Sequence, residues 1–303
     1  MLLFATNKLW KTLDGGYHWQ IISPDLSRNK PDVPDNIGVF KTPELNEMPQ
    51  RGVIYSVGPS PLDADIIWAG TDDGLIHITK DGGKSWQNVT PPTLRSWDKI
   101  SQIDASHFDK NTAYISVNAF RLDDLNPYIY KTKDSGKTWQ TSNAAVAEET
   151  TENMAVELTD GTVMLNMRAN SNRTDTSSNN GRAIAVTNNL GQTWREHETS
   201  HKALQEPTCM ASIIRHDYTL AGKKSSVLLF CNPNSKIARN FITVKASKDD
   251  GKTWQSKVLL DEWKGRGYSC MTSIDNETIG VLYESSQADL VFQTINLKDL
   301  INN

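Results

Sequence analysis

Four residues in the second half of the sequence are of types that could do chemistry together: Glu152, Arg168, Arg239 and Tyr268. A carboxylate can take a proton. A guanidinium presents a planar fork that matches another carboxylate bidentately. A phenol titrates near pH 10, so it attacks at neutral pH only with a base beside it. Read singly, each is ordinary. A glutamate ahead of a β-run reads as solvated, an isolated arginine as a surface or ion-paired group, and a tyrosine as a core or rim residue. Glu157 and Glu284 are alternative carboxylates, with Glu157 read as pointing elsewhere on its strand. No spacing suits a metal. The three cysteines, Cys209, Cys231 and Cys270, form no Cys-x-x-Cys pair and read as buried thiols in strands. His197 and His201 read as surface residues.

The elements that must position these groups are announced by a repeat. The pattern Ser/Thr-x-Asp-x-Gly-x-x-Trp starts at Thr12, Thr79, Thr132, Thr187 and Ser247, and the fourth copy carries Asn189 in place of Asp. One supersecondary unit is therefore used again and again. The Asp carboxylate and the hydroxyl accept backbone amides in a tight turn, the Gly supplies a positive φ, and the Trp buries a ring with an N–H that needs a partner. Short runs rich in Val, Ile, Tyr, Thr and Leu lead into each copy: 2–6 and 8–12, 66–70 and 75–79, 112–118 and 128–132, 162–168 and 183–187, 227–231 and 241–246. No long helical period competes. The outline is that of four-stranded propeller blades.

Five copies imply five blades, and the runs 268–274, 278–284 and 289–295 supply three strands of a sixth. The expected fold is all-β: a single six-bladed β-propeller over 1–303, with blades 1–140 and 141–303. Both ends look one strand short, so an N-terminally incomplete ring or an unusual closure is expected, with open edge strands as an aggregation risk. Residues 25–50 read as a long Pro/Asp/Asn-rich connection and 169–181 as a flexible hairpin tip.

A chain of 303 residues can bury a sizeable core. The net charge of -4 is well mixed, without the basic stripe that nucleic acid requires. No apolar run reaches the roughly 18 residues of a membrane span, and the start Met1-Leu-Leu-Phe-Ala-Thr lacks the features of a signal peptide. A monomer is expected, with no cofactor and no metal.

The five-fold pattern resembles the Asp-box, a structural turn of sialidases, sortilin-type domains and related β-propellers. Residues 1 to about 140 resemble sortilin-type, BNR-repeat glycosyl-hydrolase-like proteins, through Arg51-Gly-Val-Ile-Tyr-Ser-Val-Gly, Trp68-Ala-Gly-Thr-Asp-Asp-Gly and Phe120-Arg-Leu-Asp-Asp. Residues 150–300 resemble the C-terminal half of a bacterial exo-sialidase. The runs that carry this are Thr151-Glu-Asn-Met-Ala-Val-Glu through Met167-Arg168, Glu206-Pro-Thr-Cys-Met, Ala238-Arg-Asn-Phe-Ile-Thr-Val, Gly267-Tyr-Ser-Cys-Met and Ile279-Gly-Val-Leu-Tyr-Glu.

The resemblance implies a retaining hydrolysis of terminal sialic acids on sialylated glycans. Sialidases use a tyrosine nucleophile, outside the usual two-carboxylate scheme. It further implies that Tyr268 is that nucleophile, Glu152 its base, and Arg168 and Arg239 two of the three arginines that hold the substrate carboxylate. Such families are mostly periplasmic or secreted. Two family elements are absent: an Arg-Ile-Pro segment with the first arginine, and the motif of the acid/base aspartate. Arg51 or Arg121 could supply a guanidinium, and Asp72, Asp73, Asp123 or Asp124 an acid, with no spacing to choose among them. A site weak or dead on natural sialosides is therefore expected. The alternative is a non-catalytic propeller that holds a sialoside or a peptide.

Overall fold

A computed structural model describes residues 1–30, 32–47, 52–146, 149–254 and 256–301. The described residues form 22 strands in six antiparallel sheets, each a meander in which consecutive strands are neighbours. These sheets are the blades of a six-bladed β-propeller fold. Contacts gather the chain into two compact units, Met1–Ala145 with Leu190–Gln192, and Val146–Asn189 with Thr193–Asn303.

In the first unit the sheets are β1 (Leu2–Ala5), β2 (Leu9–Thr12) and β3 (Gln20–Ile21); β4 (Ile54–Pro59), β5 (Ile67–Thr71), β6 (Ile76–Thr79) and β7 (Gln87–Asn88); and β8 (Lys99–Ala105), β9 (Ala113–Asn118), β10 (Pro127–Thr132) and β11 (Gln140–Thr141). The polar connection after β3 carries a 3-10 turn (Asp35–Phe40) and the short helix α1 (Pro43–Glu47). It is tied down where the Asn36 amide donates to the Arg121 carbonyl and to Asp123, both at 2.9 Å.

In the second unit the sheets are β12 (Thr150–Glu157), β13 (Val163–Ala169), β14 (Ala183–Thr187) and β15 (Arg195–Glu196); β16 (Ser212–Leu220), β17 (Lys223–Pro233), β18 (Ile242–Ser247) and β19 (Ser256–Asp261); and β20 (Ser269–Ser273), β21 (Thr278–Glu284) and β22 (Leu290–Asn296), followed by α2 (Leu297–Ile301). Strand periodicity explains the packing. Val227, Leu229 and Cys231 of β17 join one apolar cluster with β18, β20 and β21, while Leu228 and Phe230 join another with β12, β13, β14 and β16. The second half of β17 is thus buried on both faces. That is why residues 227–231 read as a continuous apolar run rather than an alternating one.

All five repeats close as turns of the same kind. In the second copy the Thr79 hydroxyl donates to Asp81 at 2.8 Å and accepts the Gly83 amide at 2.9 Å, and Asp81 accepts the Ser85 amide at 2.9 Å. The third and fifth copies repeat the set. Asn189 does the carboxylate's work in the fourth, since its Oδ1 accepts both the Thr187 hydroxyl and the Thr193 amide at 3.0 Å. The turn requires two successive left-handed residues, met at Gly82 (φ 70°) and Gly83 (φ 99°). The tryptophans are less buried than expected: Trp86, Trp139, Trp194 and Trp254 are half-buried and Trp19 is 42% exposed. The N–H groups of two of them act as staples between blades, while that of Trp254 closes on Gly251 within its own turn. Trp86 donates to the Ile22 carbonyl of the preceding blade and Trp139 to that of Val89, both at 2.7 Å.

The cysteines also differ in part from expectation. Cys231 is buried in β17 and Cys209 in the loop ahead of β16, but Cys270 on β20 is exposed. His197 is half-buried, with its ring bonded to the Thr199 hydroxyl at 2.8 Å.

The turns carry an acid sensitivity. Hydrogen bonds from Ser85 and Thr79 hold the Asp81 carboxyl at about 2, below its ordinary 3.8, and those from Thr138 and Thr132 do the same for Asp134. A depressed folded-state pKa contributes stability that is complete above the unfolded value and lost as pH falls through the folded one. The melting temperature should therefore fall between about pH 4 and pH 2, and Asp81→Asn, which imitates the fourth copy, should flatten part of that slope. Superimposable melting curves of parent and variant across this window would refute the assignment.

Candidate active site

All four candidate residues lie in the second unit, and the structure brings them together. Glu152 lies within β12 rather than ahead of it. β12 and β13 pair across the turn at 158–162, and their register slips between Thr151 and Met154, which leaves Glu152 in a bulge at φ 46°. A non-glycine residue in that region costs on the order of 1–3 kcal/mol and persists only where its surroundings over-determine it. The bulge turns the Glu152 side chain toward Arg168, which pairs with Thr151 across the ladder.

The Tyr268 hydroxyl donates to Glu152 Oε1, and Arg168 Nη1 donates to Glu152 Oε2 at 2.7 Å. One carboxylate therefore bridges phenol and guanidinium. Burial, with the Glu152 hydrogen bond and charge, pushes the Tyr268 phenol well above the ordinary tyrosine range. The phenol thus directs its hydroxyl proton at the carboxylate. The buried Arg168 Nε has no hydrogen-bond partner in the structure, a donor that an incoming anion could engage.

Tyr268 stands just before β20, and its amide donates to Glu284 Oε2 at 3.2 Å while its carbonyl accepts the Glu284 amide at 2.9 Å. Glu284 thus grips the backbone of Tyr268. Glu157 is buried at the far end of β12. Gly267 precedes the tyrosine at φ 91°, and a side chain there would meet Pro233 Cγ at 2.8 Å and Cys209 Sγ at 3.1 Å. Only glycine lets the chain pass this close. Arg239, on the β17–β18 loop, is aimed by the Arg266 carbonyl at 3.0 Å and the Thr208 carbonyl at 3.3 Å, and its guanidinium lies 5.6 Å from the centre of the Tyr268 ring.

Arg168 and Arg239 open onto a cavity of about 310 Å³ that is also lined by Arg173, Lys236, Asn172 and Thr208. Its volume is at the small end of the range for ligand pockets. Four cations and no carboxylate line it, so it is built for an anion.

The first-unit candidates do not converge in this way. Arg121 is paired with Asp72 at 2.9 Å, Asp73 is buried and accepts the Arg28 amide at 2.8 Å, Asp123 holds Asn36, and Asp124 accepts from Arg95 at 3.2 Å and from the Tyr128 hydroxyl at 2.9 Å. Arg51 lies outside the described residues. Among the described residues no cluster of metal-ligating side chains occurs, and no helix is long and apolar enough to cross a membrane.

Two structural residues escaped the sequence reading. Arg182 and Glu206 form an ion pair at 2.7 Å with both side chains 0% exposed. The segment 169–181, expected as a flexible tip, is pinned to that pair. Asn172 donates to Glu206 Oε1 at 2.8 Å and Asn180 to the Glu206 carbonyl at 2.9 Å, and both asparagines are buried. A polar, Asn-rich stretch looks solvated until its partner is known, and the partner lies more than twenty residues away.

The sequence pattern of the BNR repeat-like domain matches residues 123–281, just over half of the 303-residue chain. The chain belongs to this family. Its relatives place this BNR propeller among the bacterial sialidase type. It is 46% identical over 238 residues to a sialidase of Bacteroides fragilis, covering 75% of this chain and 42% of that one, and 37% identical over 246 residues to a sialidase of Micromonospora viridifaciens, covering 75% and 35%. Coverage of 75% is more than residues 150–303 could supply, so the likeness extends into the first half. Among solved structures, the Hadza microbial sialidase Hz136 superimposes with a TM-score of 0.67 at 27% identity, over 97% of this chain and 60% of that one. The BNR chain thus spans less than half the length of the two curated relatives.

Proposed function

We propose that this BNR propeller is an exo-sialidase-like glycoside hydrolase whose second unit carries the nucleophile and the carboxylate clamp of a retaining site. The observation that carries this reading is the hydrogen bond from the Tyr268 hydroxyl to the Glu152 carboxylate, with Arg168 on the other carboxylate oxygen and Arg239 beside the phenol ring. The relatives named as sialidases supply the substrate class, glycans ending in sialic acid.

A sialoside carries its carboxylate on the anomeric carbon, so an anionic nucleophile would be repelled there, whereas a neutral phenol is not. Arg168 and Arg239 hold the substrate carboxylate in the cationic cavity. The Tyr268 oxygen attacks the anomeric carbon as its proton passes to Glu152, and the aglycone oxygen leaves with the electrons of the glycosidic bond. Water then displaces Tyr268 from the sugar, the proton held by Glu152 returns to the departing phenolate oxygen as the water's proton passes to solvent, and two inversions give net retention.

The 303 residues contain neither an Arg-Ile-Pro segment nor a recognisable acid/base aspartate motif. General acid catalysis is worth roughly 10²–10⁴-fold, and an aryl leaving group departs without it. The purified chain should therefore hydrolyse a fluorogenic aryl sialoside and act far more slowly on sialyllactose, with kcat/KM lower by about 10²-fold or more. Equal rates on both substrates would show that a working acid is present. No turnover of either by a folded sample would favour the alternative, a propeller that binds sialosides without cleaving them, and equilibrium binding of sialic acid would then decide it.

A further inference from the structure

We infer that the buried Arg182–Glu206 pair is the positioning device of the site, setting the base and both clamp arginines in register from beneath. The inference rests on the reading of Glu152, Arg168, Arg239 and Tyr268 as one site.

The geometry is specific. Arg182 Nη1 donates to Glu206 Oε2 at 2.7 Å and to the Cys209 carbonyl at 2.9 Å, Nε to Asn166 Oδ1 at 2.7 Å, and Nη2 to the Glu152 carbonyl at 3.4 Å. The other Glu206 oxygen accepts the Ala169 amide at 2.7 Å and the Asn172 amide at 2.8 Å. Three of these contacts, at the Glu152 carbonyl, the Ala169 amide and the Cys209 carbonyl, reach the backbone of a site residue, of its neighbour, or of the neighbour of a residue that aims one. The Glu152 carbonyl belongs to the bulged residue itself. Ala169 follows Arg168. Cys209 follows Thr208, whose carbonyl aims Arg239. Three separate segments, β12, the end of β13 and the loop ahead of β16, are therefore gauged against one pair of side chains.

A buried ion pair is a poor device for stability alone, because the desolvation of both charges offsets most of their attraction, and well-packed apolar residues often replace such a pair at no loss. What apolar residues cannot do is hold carbonyls and amides at fixed distances. Glu152 stands at φ 46°, and its carbonyl is held by Arg182. Without that hold the bulge is free to relax toward an extended strand, carrying the carboxylate away from Tyr268.

The test compares Glu206→Gln, Arg182→Lys and the apolar double variant Arg182→Met/Glu206→Leu with the parent chain. Folding is checked by circular dichroism and melting. Kinetics use the aryl sialoside. The state of Tyr268 is read at neutral pH from its ¹³Cζ resonance, assigned by its loss in Tyr268→Phe. Folded variants should lose about 10²-fold in kcat, the cost of misplacing reacting groups by about an ångström. KM should rise less, Arg182→Lys should fall between parent and double variant, and the Tyr268 resonance should move toward that of a tyrosine not bonded to a carboxylate. A folded variant with parental kcat, KM and Tyr268 resonance would overturn the inference. Should the parent be inactive, the sialidase reading fails separately, and the resonance still decides whether the pair holds Glu152 against Tyr268.

Discussion

Tyr268→Phe should abolish hydrolysis of an aryl sialoside, lowering kcat by on the order of 10³-fold or more. The variant removes one oxygen and nothing else. The ring remains beneath Arg239, the backbone remains in the grip of Glu284, and Glu152 keeps its ion pair with Arg168. The half-buried position of Tyr268 makes the apolar ring tolerable, so the melting temperature should stay close to that of the parent. The loss is then chemical: no oxygen is left to form the glycosyl intermediate, and the residual rate is what clamp and cavity achieve with water. A variant that keeps its rate within a few-fold would show that Tyr268 is not the nucleophile. The site would then be a binding site with a tyrosine beside it.

Arg168→Ala should raise KM by about 10–10²-fold and lower kcat as well. Hydrogen bonds to charged groups are worth about 1.5–3 kcal/mol, and each 1.4 kcal/mol is a factor of ten. Arg168 has two duties, which is why both constants move. It lines the cavity, its buried Nε is unpartnered, and it pairs with Glu152, the carboxylate proposed to receive the tyrosine proton. Truncation removes the clamp and takes a partner from a carboxylate only 14% exposed. Arg168→Lys should restore little, because an ammonium is a point charge without the fork. Arg239→Ala should raise KM with a smaller effect on kcat, since Arg239 lies beside the ring and makes no direct bond to Glu152 in the structure. Steady-state kinetics with competition by free sialic acid separates these cases. An Arg168→Ala chain with unchanged KM would remove it from the clamp.

Each of these effects depends on how a local pattern meets a distant one. The five turns were legible because everything they need lies within eight residues: hydroxyl, carboxylate, glycine and ring. Asn189 shows the rule, since the change from Asp kept the acceptor oxygen and the turn closed in the same way. The local pattern does not show how far the tryptophans are buried, because the partners of Trp86 and Trp139, the carbonyls of Ile22 and Val89, lie in the preceding blade, 64 and 50 residues away. Cys270 is expected to be buried because free cysteines usually are, yet it stands on the exposed side of β20, a short polar strand on which Met271 turns inward.

The site divides along the same line. Residue types, order and family-like runs marked Glu152, Arg168, Arg239 and Tyr268, but no periodicity could say that a bulge turns Glu152 toward a tyrosine 116 positions away. Nor could it show that an Asn-rich loop is pinned by Glu206, or that Arg182, which looks like any strand-edge arginine, is wholly buried beneath the site. Sequence by itself determined the blades and their turns, because these follow from interactions among near neighbours and from the two-residue period of a strand; the candidate site residues came from the resemblance of the runs that hold them. The tertiary structure alone decided which of those groups meet and what holds them, because the register between segments far apart in the chain is set by a buried charge pair whose partners only folding brings together.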